Sequence, residues 1–291
     1  MRKLSFTKMQ GAGNDFVMLD GIRQEIEPAP VLIRYLADRR FGIGADQVLI
    51  VERAQVPGAD FRYRIFNCDG HEVEQCGNGA RCFAVFVREE GLTDKTRIRV
   101  ETMKAIIEPE VMPDGRVTVN MGPARKVLEE LPFVPDGLEF RSEGASRLYK
   151  ANLTDCDVWF SVVSMGNPHA VICVEDVDAA PVAAVGPEME HFRAFPARVN
   201  VGFLQALSRT YGRLRVWERG AGETLACGTG ACAAAVEGIR RGLFDEEVTI
   251  QARGGELTIH WEGLKTPDAP VMMTGPAATV FKGVITIPED I

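Results

Sequence analysis

Cys76-Gly77-Asn78-Gly79-Ala80-Arg81-Cys82-Phe83-Ala84-Val85 and Cys227-Gly228-Thr229-Gly230-Ala231-Cys232-Ala233-Ala234-Ala235-Val236 stand 151 residues apart, and together they decide the architecture. At the same offset Gly91-Leu92 meets Gly242-Leu243. Glu72 meets Glu223, and Arg62-Tyr63-Arg64-Ile65-Phe66 meets Arg213-Leu214-Arg215-Val216-Trp217. Further out the offset drifts to 153: Gly13-Asn14 meets Gly166-Asn167, and Gly122-Pro123-Ala124 meets Gly275-Pro276-Ala277. One such match arises by chance, but a nearly constant offset from residue 13 to residue 277 is a duplication. Two copies make a pseudo-symmetric pair of domains and not a solenoid.

Each quoted stretch leads into a helix, about Gly79–Glu90 and Gly230–Arg241, with Gly91 and Gly242 in the C′ position where a left-handed residue ends a helix. Both helices are apolar on every face, which requires burial. The segments around them read as strands, by alternation or β-branched enrichment between Gly, Pro, Asn and Asp. In the first half these are Leu4–Met9, Phe16–Leu19, Gln47–Val51, Phe61–Phe66, Arg97–Thr102 and Arg116–Met121. In the second they are Val158–Val163, Ala170–Val174, Leu214–Glu218, Glu247–Ala252 and Glu256–Trp261. A strand-rich half buries an all-apolar helix by curling a sheet around it. The predicted fold is therefore α/β (α+β): two duplicated domains, each a mostly antiparallel sheet wrapped around a central helix. A further helix is expected near Pro30–Arg39, with a counterpart near Pro181–His191. The last strands, Val271–Met273 and Phe281–Ile287, fit either half.

Composition agrees with two soluble domains. The 291 residues are 46% hydrophobic and 25% charged, and no apolar run approaches a membrane span. The opening Met1-Arg2-Lys3-Leu4-Ser5-Phe6-Thr7-Lys8 has no signal-peptide core. A net charge of −8 argues against nucleic-acid and anionic-membrane partners. Seven cysteines in a long chain without a leader point to a reduced, cytoplasmic protein. The chain has no Cys-x-x-Cys, P-loop, His-Glu-x-x-His or Gly-x-Ser-x-Gly, so no metal site is expected.

Cys76 and Cys227 occupy equivalent places just before a buried helix. A helix N-terminus presents free N–H groups and partial positive charge, which lowers a thiol pKa from about 8.5 towards neutrality and also cradles a carboxylate. Two such halves supply two thiols around one bound acid. That suits inversion of a stereocentre: a thiolate removes a proton from one face of a carbon and a thiol delivers another to the opposite face. The pair shares one proton, so its titration belongs to the couple. Cys82, Cys156, Cys173 and Cys232 lack this context and read as core or inert; Cys68 is ambiguous. His71, His191 and His260 read as surface or packing residues.

The chain resembles the diaminopimelate epimerase family over nearly its whole length. The resembling segments are Lys8-Met9-Gln10-Gly11-Ala12-Gly13-Asn14-Asp15-Phe16, Gly42-Ile43-Gly44-Ala45-Asp46-Gln47, Cys76-Gly77-Asn78-Gly79-Ala80-Arg81-Cys82, Met165-Gly166-Asn167-Pro168-His169, Arg198-Val199-Asn200, and Glu218-Arg219-Gly220-Ala221-Gly222-Glu223-Thr224 running into Ala226-Cys227-Gly228-Thr229-Gly230. The resemblance implies interconversion of LL- and meso-diaminopimelate, in lysine and cell-wall precursor biosynthesis, with neither pyridoxal phosphate nor metal. It implies that Cys76 and Cys227 are catalytic, with His169 and Glu218 beside them setting protonation and holding the reacting amino acid. It places Asn14, Gln47, Asn67, Asn167, Asn200 and Arg219 on the substrate, and the backbone N–H groups of Gly77, Asn78, Gly228 and Thr229 on the reacting carboxylate. It implies a homodimer. Arg suits the distal carboxylate because it binds in a fork that Lys cannot reproduce.

Departures are few: Cys68 stands where Ala is expected, His71 where Ser is frequent, and Gln10 replaces a common His. The domain boundary is expected near residue 122, giving 1–122 and 123–273, with 274–291 returning to the first domain as the family implies. Two other readings remain. The Cys-Gly-x-Gly element also resembles proline and hydroxyproline racemases, and the same fold could serve a non-catalytic small-molecule binding protein. Against the first stand Asn67, Asn200 and Arg219, which suit a polar, charged distal end; against the second stands the presence of both thiols.

Overall fold

A computed structural model describes residues 2–73, 77–127, 130–289 and 291. The chain divides into two compact units. Unit 1 comprises Met1–Asn120 with Thr274–Ile291, and unit 2 comprises Met121–Met273.

In chain order the elements are β1 (Arg2–Gly11), β2 (Asn14–Asp20), α1 (Pro30–Ala37), β3 (Gln47–Arg53), β4 (Phe61–Asn67), β5 (Glu72–Val73), α2 (Gly77–Glu89), β6 (Val100–Glu101), β7 (Ile106–Ile107), β8 (Glu110–Val111) and β9 (Val117–Pro123). They continue with β10 (Phe140–Glu143), β11 (Ser146–Asn152), β12 (Asp157–Ser164), β13 (Pro168–Cys173), α3 (Val182–Glu190), β14 (Asn200–Ser208), β15 (Tyr211–Glu218), β16 (Gly222–Thr224), α4 (Gly228–Arg240), β17 (Glu247–Ala252), β18 (Gly255–His260), β19 (Pro270–Gly275) and β20 (Ala278–Ile287).

The sheet of unit 1 runs β20-β1-β2-β3-β4-β6-β7, with β5 hairpinned onto β4. The strands of unit 2 run β10-β11-β12-β13-β14-β15-β17-β18, with β16 hairpinned onto β15. Most neighbours are antiparallel. The parallel pairs are β2–β3 and β4–β6 in unit 1 and β13–β14 and β15–β17 in unit 2. Parallel neighbours need a crossover, and each of these pairs is bridged by one helix: α1, α2, α3 and α4 respectively.

The helices cover opposite faces. In unit 1, Val17, Leu19, Val48 and Ile50 meet Leu32, Ile33 and Leu36 of α1 in one cluster. The alternate residues Phe16, Met18, Leu49 and Val51 are equally buried on the other face, where α2 packs on β1, β2 and β3. The ring of Phe83 on α2 lies 5.7 Å from Tyr63 and 6.1 Å from Phe61. In unit 2, α3 covers the outer face through Val182, Val185 and Met189. There α4 is the inner helix, packed on β12, β13, β14 and β18 and buried from Gly230 to Ile239.

Burial, not propensity, holds α4. Its three glycines each cost about 1 kcal/mol relative to Ala in a helix. Gly238 cannot be replaced, because a Cβ there would come within 2.3 Å of the Phe244 ring. Both inner helices end in the same Schellman turn. Gly91 (φ 64°) donates to Arg88 while Leu92 donates to Val87, and Gly242 (φ 76°) donates to Ile239 while Leu243 donates to Gly238.

Several expected strands differ. Arg97–Thr102 is extended, but only Val100–Glu101 joins β4; Asp60 N–H, Phe61 N–H and the Asp60 carboxylate engage the backbone of Arg99 instead. The sequence reading missed β14, β10 and β11. In β14, Val201-Gly202-Phe203-Leu204 is buried on both faces, as in any parallel pair covered on both sides, so it carries no alternation. The strand beside β12 is β11, whereas the strand beside β1 is β20. The strand that matches β11 in unit 1 thus comes from the far end of the sequence, and no constant offset reveals it.

Candidate active site

In both units the candidate residues gather where the inner helix begins. Asn14 and Gln47 start β2 and β3, Asn67 ends β4, and Gly77 and Asn78 open α2. Asn167 and His169 flank the start of β13, Asn200 starts β14, Glu218 ends β15, and Gly228 and Thr229 open α4.

The same brace supports both groups. In unit 1, Arg64 on β4 donates from Nε and Nη2 to Glu72 on β5, at 2.8 and 2.6 Å. In unit 2, Arg215 on β15 donates from the same atoms to Glu223 on β16, at 2.7 and 3.0 Å. A two-pronged pair fixes direction as well as distance. It pins the hairpin that turns the chain from the site loop into the inner helix.

In unit 1 the Asn14 amide Nδ2 donates to Asp46 at 2.7 Å, and Asn78 Nδ2 reaches Asn14 Oδ1 at 3.4 Å. Gln47 Nε2 donates to Asn67 Oδ1 at 2.9 Å. Behind these amides Asp15 is gripped by Lys8 at 2.6 Å and by Arg39 through two bonds of 2.9 and 2.8 Å. Burial pushes the Asp15 carboxyl up, but Arg39 and Lys8 outweigh it and hold it far below the usual carboxylate range. The turn entering β2 takes Ala12 to φ 54°, a left-handed conformation for a non-glycine residue. Cys76 lies outside the described residues.

Unit 2 carries the described candidate thiol, together with His169 and Glu218. Cys227 is the N-cap residue of α4, buried, with Sγ 3.5 Å from Thr229 Oγ1. A Cβ on Gly230 would sit 3.3 Å from that sulfur, so the second glycine of the motif lets the helix begin directly beneath the thiol. The helix terminus does not lower the thiol as expected from the sequence. Burial, and then the charge of Glu218, push Cys227 well above its ordinary value, against the smaller pull of Thr229 and the Gly230 N–H. Desolvation of a thiolate outweighs a partial helix charge here.

From the thiol, a chain of contacts runs inward. Asn167 Nδ2 donates to Thr229 Oγ1 at 3.3 Å, and Asn167 Oδ1 meets His169 Nε2 at 3.1 Å. His169 is 1% exposed; burial, helped by the charge of Arg219, lowers it to about 3, so it is neutral at pH 7. Asn200 ties two loops together. Its Nδ2 donates to the Pro168 carbonyl at 3.2 Å, and its Oδ1 accepts from the Arg219 N–H at 2.9 Å. Thr224 Oγ1 donates to Glu218 at 2.5 Å, and Arg219 Nη1 to the Ala197 carbonyl at 2.9 Å. Cys227, Thr229, Asn167 and His169 are thus one chain of contacts, and Asn200 ties the Arg219 backbone to Pro168, between Asn167 and His169, with Glu218 within electrostatic reach of the thiol.

Sequence reasoning assigned no role to Lys8, Arg39, Asp46 or Glu190. Lys8 and Asp46 lie inside motif segments, a signal that was present. Glu190 and Arg39 lie in or after helices outside any motif, and only the fold brings them to the loops.

Among known proteins, the family described as diaminopimelate epimerase matches residues 6–127 and 161–280. Diaminopimelate epimerase of Burkholderia thailandensis is 57% identical over 287 residues, covering 98% of this chain and 99% of that one. The protein of the same name from Ralstonia nicotianae is 58% identical over 285 residues, covering 98% and 97%. Among solved structures, a hydroxyproline epimerase from Agrobacterium vitis superposes with a TM-score of 0.67 at 16% identity, covering 98% of this chain and 92% of that one. A PhzF-family phenazine biosynthesis protein from Bacillus anthracis also gives 0.67 at 16% identity, covering 99% and 100%. At that identity these two share the fold.

Proposed function

The chain belongs to the diaminopimelate epimerase family, and from that premise we propose that it interconverts LL- and meso-diaminopimelate by a two-thiol proton transfer. The observation that carries the reading is the buried Cys227 thiol at the head of α4, beside Glu218 and backed by neutral His169. The repeat gives Cys76 the matching position.

One thiolate takes the α-hydrogen as a proton, and the bond's electron pair passes into the substrate carboxylate as an enediolate. The N–H groups of Gly228 and Thr229, with those of Gly77 and Asn78, hold that developing charge. The other thiol delivers its proton to the opposite face, and the pair ends with its protonation reversed. Burial and the charge of Glu218 push Cys227 up, which favours its protonated form in the resting enzyme. Neutral His169 cannot act as an acid at pH 7; it orients Asn167 and, through it, the Thr229 hydroxyl. The thiol pair supplies both proton transfers, so the reaction calls for neither metal nor pyridoxal phosphate.

Asn14, Gln47, Asn67, Asn167, Asn200 and Arg219 contact the substrate, with Asn67, Asn200 and Arg219 suited to its polar, charged distal end. A site built for that end rejects substrates that lack it, because its polar groups are then left unpaired. The family reading also carries a cytoplasmic, homodimeric enzyme, checked by fractionation and light scattering. The test of function is α-proton exchange in heavy water with LL-diaminopimelate and with proline. Diaminopimelate is expected to exchange much faster. Equal or faster exchange of proline would move the assignment to a proline-type racemase.

A further inference from the structure

Glu190 is the last residue of α3, and its side chain is 5% exposed. A buried carboxylate is costly unless its oxygens are occupied. Here Oε2 accepts from the Trp217 indole Nε1 at 2.8 Å, and Oε1 accepts from the Gly220 N–H at 3.0 Å. Arg198 Nη1 stands 3.5 Å from Oε1. Trp217 precedes Glu218, and Gly220 follows Arg219. The carboxylate therefore grips the turn on both sides of the two charged site residues. Arg198 lies two residues before Asn200, in a left-handed conformation with φ 61°. Trp217 is seated by Gly186 on the same helix, where a Cβ would come within 2.6 Å of the indole.

Unit 1 shows what is particular to this device. Its outer helix also braces the corresponding turn, but with an exposed cation: Arg34 on α1 donates to the Asp69 carbonyl at 3.3 Å. Asp69 and Gly220 are 151 residues apart, at equivalent turn positions. Among the described residues, only unit 2 braces the turn with a buried acceptor. A carboxylate is the side chain that accepts at both ends and donates at neither.

We propose that Glu190 is a positioning residue that sets the Glu218–Arg219 turn, and with it the recognition of the substrate's distal carboxylate. This rests on the assignment of Arg219 to that carboxylate. In Glu190→Gln the amide NH2 faces either the indole N–H or the Gly220 N–H, donor against donor, and one grip is lost.

The test has two arms. Hydrogen–deuterium exchange of the folded protein needs no substrate. A peptide spanning 217–224 is expected to lose protection at Gly220 about tenfold or more in Glu190→Gln, the equivalent of one hydrogen bond to a charged acceptor. Steady-state kinetics reads the consequence. KM for diaminopimelate should rise about tenfold with kcat within about threefold, and the preference for diaminopimelate over lysine, which lacks the distal carboxylate, should shrink by the same factor. Trp217→Phe, which removes one donor and keeps the Gly220 grip, should show a smaller shift of the same kind and serves if Glu190→Gln does not fold. Unchanged protection of 217–224 overturns the proposal. So does a fall in kcat with KM and preference unmoved, which marks a merely structural role. Lost protection in a protein whose wild type does not discriminate lysine would instead overturn the assignment of Arg219.

Discussion

Strand register puts equivalent residues at matching positions in the two half-sites. In unit 1, Phe16 pairs with Gln47 across β2 and β3, and Gln47 faces Asn67 on β4. In unit 2, His169 pairs with Asn200 across β13 and β14, and Asn200 faces Glu218, one step past the Val201–Trp217 pair. Equivalent positions thus carry an aromatic ring and neutral amides in one unit, and an imidazole, an amide and a carboxylate in the other. Cys68 stands where the second unit has Arg219. What the duplication kept is mechanical: the Arg–Glu brace of the hairpin, the glycine-led helix and its Schellman end. What it let diverge is charge. A substrate with two chemically identical ends and one reacting centre needs such a frame, symmetric for the two thiols and asymmetric for recognition.

The largest expected effects test the symmetric part. Cys76→Ala and Cys227→Ala should each abolish epimerisation while leaving the fold largely intact, since each removes a single sulfur. Turnover within about tenfold of wild type in either variant would break the equivalence of the two thiols; a general acid or base is commonly worth about 10²–10⁴-fold.

The asymmetric part predicts unequal losses. Glu218→Gln should lower kcat by about 10²-fold or more, because the group beside the Cys227 thiol loses its charge. Asn67→Asp, which gives unit 1 the carboxylate type of unit 2, should act mainly through KM. Arg219→Lys should also fall mainly on KM, the charge surviving and the fork being lost. If Asn67→Asp and Glu218→Gln had the same kinetic signature, the division between the units would be wrong.

A third comparison concerns acid. His169 titrates near 3 in the folded protein against an ordinary 6.5. Between those values the unfolded chain binds the extra proton and the folded chain does not, so stability falls as pH drops below about 6.5, by up to about 1.4 kcal/mol per pH unit. His169→Phe copies unit 1 and should flatten that slope between pH 6.5 and 4.5. Urea unfolding at a series of pH values measures it, and an unaltered slope would mean that another group carries the acid sensitivity.

The smallest effects concern the braces. Arg215 also donates to the carbonyls of Val177 and Ala180, whereas Arg64 has no such backbone partners among the described residues. Arg215→Ala should therefore cost about 2–3 kcal/mol and Arg64→Ala about 1 kcal/mol in denaturant unfolding. The reverse order would show that the hairpin of unit 1 depends more on its brace.

Much of this was legible in the sequence because duplication doubles every weak signal. A lone cysteine beside glycine says little, but Cys76 and Cys227 at equal places before all-apolar helices say a great deal. Asn14 and Asn167 were visible for the same reason. Position β14 was hidden because burial on both faces erases alternation, and β11 because its counterpart β20 comes from the far end of the chain. The direction of the Cys227 shift could not be read either. The helix terminus is written in the motif, whereas the burial that overrides it comes from the sheet folded around α4. Glu190 follows a segment with no motif, and only the approach of α3 to Trp217 gives it meaning.

The central claim, two thiols on opposite faces of one carbon, is tested most directly by the first turnover in heavy water. Proton-labelled LL-diaminopimelate is mixed with the enzyme, and the α-carbon is read by mass spectrometry before appreciable reversal. Two bases predict a meso product carrying one solvent deuterium per molecule, with the remaining LL substrate still unlabelled. A meso product that retains the substrate's own proton would mean that a single base carries it from one face to the other, and would contradict the account.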